Sequence, residues 1–120
     1  MKAYAQTLLL RDDPEKIEMY KKYHQAVWPE VLADIRQGGI NEMKIFLRGR
    51  RMFMYIETND DYDTTNGLRR AGSSSPRSRE WNELMATLQE RAPEADPSEW
   101  WAPMELVFDL NWPQHRASEG

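Results

Sequence analysis

The rhythm of apolar and polar positions changes several times along the chain, and each change marks an element. Residues 2–10 run Lys2-Ala3-Tyr4-Ala5-Gln6-Thr7 and then Leu8-Leu9-Leu10. That pattern alternates at first and is wholly apolar at its end, which predicts a strand. Asp12-Asp13-Pro14 supplies an N-cap region and a proline suited to a first helical turn. Ile17, Tyr20, His24, Val27, Trp28, Val31 and Ile35 then share one helical stripe, which Gly38-Gly39 ends. Pro29 lies inside the pattern and predicts a kink or an irregular turn. Two alternating runs, 41–48 and 52–59, flank Arg48-Gly49-Arg50-Arg51 and read as a hairpin with a basic tip. Asn59, Asp60, Asp61 and Asp63 look like the cap and first turn of a short helix, and Gly72-Ser73-Ser74-Ser75-Pro76 like a polar break. A second helix is predicted near 77–90, with Trp81, Leu84, Met85 and Leu88 on one side. Pro93, Pro97 and Pro103 make 91–103 an irregular loop. Met104, Leu106, Phe108 and Leu110 alternate as a last strand, and 111–120 is a polar tail expected to fray.

The order β-α-β-β-α-β predicts an α+β protein of the ferredoxin-like, split βαβ type, a single domain over 1–110. Its helices cover one face of an antiparallel sheet. The other face would be bare, although the strands carry bulky residues such as Tyr4, Phe46, Phe53 and Tyr55 on both faces. A homodimer closing sheet on sheet is the simplest cover for it.

Composition narrows the function. At 120 residues the chain can bury one core. Its 16 Lys+Arg against 20 Asp+Glu give a net charge of −4, which argues against nucleic acid as the main partner. Mean hydropathy is −0.84, and no apolar run approaches the roughly 20 residues of a membrane span. No signal-peptide core precedes a cleavage site, so a soluble, cytoplasmic protein is expected. The absence of cysteine excludes a disulfide scaffold, a thiolate zinc site and a cysteine nucleophile. No G-x-G-x-x-G, Walker A or H-E-x-x-H motif is present, so no cofactor is expected. One stripe histidine without clustered carboxylates cannot fill a metal shell. The Asn59–Asp63 run lacks the glycine and the terminal Glu of a calcium loop and reads as a helix cap.

Of the two histidines, His115 lies in the tail, whereas His24 falls on the apolar stripe. The plain reading of His24 is a core histidine with one satisfied hydrogen bond. The other reading follows from its neighbours: Tyr20 four residues before and Trp28 four after share its face. Imidazole, phenol and indole together make a polar pocket with a stacking wall. Such a pocket suits a sugar, whose C–H faces pack on rings and whose hydroxyls need directed partners. An imidazole that titrates near neutrality can give and take a proton there. Arg48, Arg50 and Arg51 read as a solvated tip rather than an anion site. Ser73–Ser78 reads as a polar loop rather than a phosphosite. Trp100-Trp101 is either a pocket lid or an anchor for the proline-rich loop.

Tyr20-x-x-x-His24-x-x-x-Trp28-Pro29-Glu30 resembles the signature of the L-rhamnose mutarotase family. The likeness continues through Lys44-Ile45-Phe46-Leu47, Glu80-Trp81 and Met104–Leu110, most of residues 2–110. Ala26-Val27-Trp28-Pro29-Glu30-Val31, Arg51-Met52-Phe53-Met54 and Trp101-Ala102-Pro103-Met104-Glu105 look closer to its L-fucose branch. The resemblance implies a dimeric α/β barrel of two ferredoxin-like subunits and cofactor-free interconversion of the α and β anomers of a 6-deoxy-hexose. It implies His24 as proton donor and Tyr20 and Trp81 as sugar contacts. Two positions depart: Glu80 stands where the family has the first of two sugar-contacting tryptophans, and Met43 where it has a tyrosine. The expected activity is therefore an aldose mutarotase on L-fucose, with L-rhamnose as the alternative sugar. Tyr20 would orient a sugar hydroxyl or assist proton transfer, Glu80 would serve as complementary base or hydroxyl reader, and Trp81 with Trp28 or Trp101 would stack on the ring. A non-catalytic sugar-binding or dimeric interaction module, or a cofactor-free oxygenase, are the readings from other classes.

Overall fold

The computed structural model describes residues 1–62 and 75–116. Strand β1 spans Lys2–Leu10, and helices α1 and α2 span Pro14–His24 and Pro29–Gln37. Strands β2 (Ile40–Arg48) and β3 (Arg51–Thr58) form the hairpin, and helix α3 runs Pro76–Ala86. Two short strands, β4 (Gln89–Glu90) and β5 (Ala102–Pro103), and a terminal turn of helix, α4 (Pro113–Arg116), complete the order. The sheet is antiparallel with order β2-β3-β1-β4, and β5 joins β4 on the same edge of β1. This is the expected ferredoxin-like α+β arrangement, with its fourth strand position filled in two pieces.

The first helical stripe yields two helices rather than one kinked helix. Pro29 has no N–H to donate backwards, and its ring disfavours helical geometry at the preceding residue. Trp28 is accordingly extended (φ −58°, ψ 136°), Pro29 opens α2, and α1 stops at His24. Asp13 caps α1 by accepting from the Glu15 N–H at 3.0 Å. After α2, Gly39 takes φ +96°, a left-handed conformation that glycine tolerates best. Gly49 (φ +61°) does the same at the first position of the two-residue hairpin turn.

Leu8, Leu10, Met52, Met54 and Ile56 point towards the helices and form the core with Tyr20, Val31, Trp81 and Met85. Tyr4 also lies on this side, against Tyr62 at 5.8 Å. The three consecutive leucines are all buried because the segment after β4 covers the opposite face at that end. Ala92 is buried there, and Arg51 pairs with Glu94 at 3.0 Å. Arg50 pairs with Glu90 at 3.0 Å, so two arginines of the tip hold this segment to the hairpin. Phe46 and Phe53, with ring centroids 6.1 Å apart, remain exposed on the bare face.

Two expectations near the C-terminus need correction. The second helix ends at Ala86, capped by Thr87, and Gln89–Glu90 pairs with β1 instead of prolonging it. The last strand is confined to Ala102–Pro103. Beyond the Met104 N–H bond to the Ala5 carbonyl (2.9 Å), residues up to Leu110 leave the sheet. Met104, Leu106, Val107, Phe108 and Leu110 are all exposed. Their alternation signals a strand with one covered face, but among the described residues only the Trp112 and His115 rings, against Phe108, lie over any of it. Trp112 and His115, in the tail, stack on each other with centroids 5.9 Å apart, and α4 shapes that segment. The short helix expected from Asn59 and most of the polar break at 72–76 fall largely outside the described residues. Within them, Ser75 is the N-cap of α3 and Pro76 its first residue.

Candidate active site

A cavity of about 1030 Å³ opens between the helices and the sheet. Its floor is the helix-facing side of the strands: Gln6, Met43, Ile45 and Met54. Tyr20, His24 and Val27 come from α1 and the break after it, and Trp81 and Met85 come from α3. Trp100 and Trp101 close it from the loop before β5. The exposed residues Arg36, Asn41 and Glu42 also line it.

His24 is set by its own helix. Its Nδ1 lies 2.9 Å from the Tyr20 carbonyl oxygen, which can only accept. Nδ1 therefore carries the proton and donates it, and in the neutral ring Nε2 is left with its lone pair. The imidazole stacks on the Tyr20 ring at 4.1 Å and meets the edge of Trp81 at 5.3 Å. Burial among these rings lowers its pKa below the ordinary 6.5, and the Tyr20 carbonyl opposes that shift in part. Near neutrality the resting group is thus an uncharged imidazole, the form a general base requires.

Tyr20 is held in turn by Gln89. Burial pushes its pKa up to about 12, and a hydrogen bond from Gln89 works in the opposite direction. The phenol keeps its proton across the physiological range. The Gln89 side-chain oxygen accepts from the Trp100 indole N–H at 2.8 Å. One buried amide thereby ties the loop before β5 to α1. Arg91 lies over the Trp100 ring at 5.8 Å and its Nε donates to the Glu99 carbonyl at 2.8 Å, which steadies the same loop. Trp101 packs on both core clusters as well as lining the cavity, so it is at once anchor and wall.

The structure brings together Tyr20, His24, Met43, Trp81 and Trp101. It does not bring Trp28 or Glu80 to the cavity. Trp28 stands behind Trp81, edge to face at 5.1 Å, with the Arg77 guanidinium 3.8 Å from its ring centre. Glu80 is exposed on the outer side of α3 and pairs with Arg77 at 3.0 Å. Its place in an i, i+3 pair on the solvent face explains why adjacency to Trp81 in sequence does not become adjacency in space. Gln6 and Gln89 were not singled out in the sequence. The available signal was a glutamine on the covered face of an otherwise apolar strand. Asp34 is also buried and accepts from the Ser78 and Ser75 hydroxyls, the latter at 2.6 Å, which joins α2 to the start of α3. Among the described residues, no group of three or more His, Asp or Glu could hold a metal ion, and no helix is long and apolar enough to cross a membrane.

The fold is a ferredoxin-like sheet carrying a cavity walled by aromatics around one histidine. The sequence profile of the L-rhamnose mutarotase family matches residues 3–110. A Dictyostelium discoideum protein is 45% identical over 114 residues, 92% of this chain and 91% of its own. The L-fucose mutarotase of Xanthomonas campestris pv. campestris is 36% identical over 114 residues, 92% of this chain and 90% of its own. The crystal structure of the L-rhamnose mutarotase FA22100 from Formosa agariphila superposes with a TM-score of 0.65 at 20% identity, over 91% of this chain and 98% of that one. The chain belongs to the L-rhamnose mutarotase family and is a carbohydrate isomerase of that class.

The Gln89 bridge has a measurable consequence. Gln89→Leu removes the acceptor of the part-buried Trp100 N–H and the donor to the buried Tyr20 hydroxyl. Urea denaturation should show a loss of about 1–3 kcal/mol, the cost of leaving a buried polar group unpaired.

Proposed function

We propose that the protein is an L-fucose mutarotase in which His24 carries the proton. The observation that carries the mechanism is the orientation of His24: Nδ1 is fixed on the Tyr20 carbonyl, and the ring forms part of the cavity wall. Mutarotation moves one proton and breaks one bond. A base takes the proton from the anomeric hydroxyl, the bond from the anomeric carbon to the ring oxygen breaks, and the ring oxygen gains a proton. The open aldehyde turns about the bond to its neighbouring carbon, and the reverse sequence closes the ring as the other anomer. Both oxygens are bonded to the same carbon, so a single imidazole nitrogen can serve both. Nε2 takes the proton from one and, as imidazolium, returns it to the other.

Tyr20, kept protonated, is placed to donate a hydrogen bond to a sugar oxygen, and Trp81 and Trp101 offer faces for the C–H side of the ring. Met43, Ile45 and Met54 provide an apolar patch for the methyl group of a 6-deoxy sugar. Glu80 has no part in this scheme, because it does not reach the cavity, and Trp28 acts as support for Trp81. L-fucose is favoured over L-rhamnose by the relatives: the L-fucose mutarotase is 36% identical over 92% of the chain. The L-rhamnose mutarotase of Paraburkholderia phytofirmans is 26% identical over 82%.

The exposed Phe46 and Phe53 and the apolar run Met104–Leu110 favour a homodimer that closes over the bare sheet face. Light scattering should give twice the chain mass for the wild type and a smaller particle for Phe53→Glu. A wild-type monomer at micromolar concentration contradicts the dimer.

NMR saturation transfer between the anomers of L-fucose and of L-rhamnose tests the activity. The wild type should accelerate exchange, faster for L-fucose, and His24→Ala should lower the rate about 10²–10⁴-fold. Binding without acceleration would instead mark a non-catalytic sugar-binding protein, and an unaltered rate in His24→Ala would remove His24 from the chemistry.

A further inference from the structure

One buried polar atom beside the cavity takes no part in the chemistry above. Gln6 lies in the middle of β1, opposite Met54 of β3 and Pro103 of β5. It is 9% exposed, and its side-chain oxygen is fully buried with no hydrogen-bond partner. Buried polar side-chain atoms nearly always have one. The neighbours on the same face of β1 are Tyr4 and Leu8, so methionine or leucine would pack there without stranding an acceptor. The same cavity holds Tyr20 and His24. Gln6 and Gln89 stand at two ends of one wall, since Gln89 pairs with Leu10, four residues further along β1 and about 13 Å away. Their amides differ in state. The oxygen of Gln89 is committed to Trp100, whereas that of Gln6 is uncommitted.

We propose that, on binding, the Gln6 side chain turns its oxygen into the cavity the residue lines and accepts a hydrogen bond from one ring hydroxyl of the bound sugar, and so makes Gln6 a specificity-determining residue. This inference rests on the mutarotase reading of the cavity. An acceptor selects for a group with a hydrogen to donate. A hydroxyl at the right position satisfies it, while a C–H or a methyl group there leaves it stranded. The apolar remainder of the floor, Met43, Ile45 and Met54, can pack against carbon but cannot make that distinction.

The test uses Gln6→Met, which preserves length and removes the acceptor, with Gln6→Leu as a second variant. Anomer exchange is measured for L-fucose and for three analogues, each lacking one of the ring hydroxyls other than the anomeric one. The wild type should prefer L-fucose over one analogue by about tenfold in kcat/KM, and Gln6→Met should lose about tenfold on L-fucose but nothing on that analogue. Without sugar, Gln6→Met should unfold at a temperature no lower than the wild type, because the atom it removes had no partner. Wild-type kinetics in Gln6→Met, or an equal loss on every sugar, would overturn the proposal while leaving the mutarotase reading intact. A clearly lowered melting temperature, or failure of both variants to fold, would assign Gln6 a structural role and overturn it too. Absence of exchange on any sugar by the wild type would bring down the mutarotase reading and this inference with it.

Discussion

The hydrogen bond from His24 Nδ1 to the Tyr20 carbonyl is the interaction on which the site depends. It spans one helical turn, and it exists because α1 stops where it does. Pro29 prevents the helix from running on, so the chain turns after His24 and leaves that side chain at a helix end. The backbone carbonyl four residues back then fixes both the ring's orientation and its tautomer. Tyr20 stacks on the same ring, so a single turn of helix supplies the imidazole, its orienting group and one wall of the cavity.

The surrounding packing decides which protonation state rests there. Burial among Tyr20 and Trp81 disfavours an imidazolium, and among the described residues no carboxylate contact with His24 offsets it. The same burial keeps Tyr20 a phenol. An uncharged imidazole beside a protonated phenol is what the proposed reaction on a neutral sugar calls for. Gln89 extends the arrangement by joining Tyr20 to the tryptophan loop, so the two sides of the cavity are positioned together. Asp34, buried between α2 and the start of α3, does the same for the helices.

Much of this is legible in the sequence, for physical reasons that vary by element. The four-residue spacing of Tyr20 and His24 guarantees a shared helical face, and the structure stacks them. Period-two alternation with Gly49 at the turn fixes the β2–β3 hairpin and its register. The same alternation misleads at Met104–Leu110. It reports that one face of a segment is to be covered, not which surface covers it, and among the described residues no strand or long helix does. Trp28 misleads in a related way: the i, i+4 rule holds only inside a helix, and Pro29 ends that helix first. Glu80 adjoins Trp81 in sequence, but consecutive helix positions point about 100° apart, so one is buried and the other exposed. Gln89 depends on contacts with α1 and with a distant loop, which no local pattern encodes, whereas Gln6 shows in the sequence only as a polar residue on an apolar strand face.

The central claim is that a neutral His24, protonated on Nδ1, is the resting base, and nitrogen-15 NMR of the imidazole across pH measures it directly. Near neutrality Nδ1 should appear protonated and Nε2 not, and the ring should take up its second proton only below pH 6.5, because burial penalises the cation. Anomer exchange should fall as the pH drops into the range below 6.5 where His24 takes up that proton. A ring protonated on Nε2 alone, or an imidazolium that persists above pH 6.5, would contradict the account.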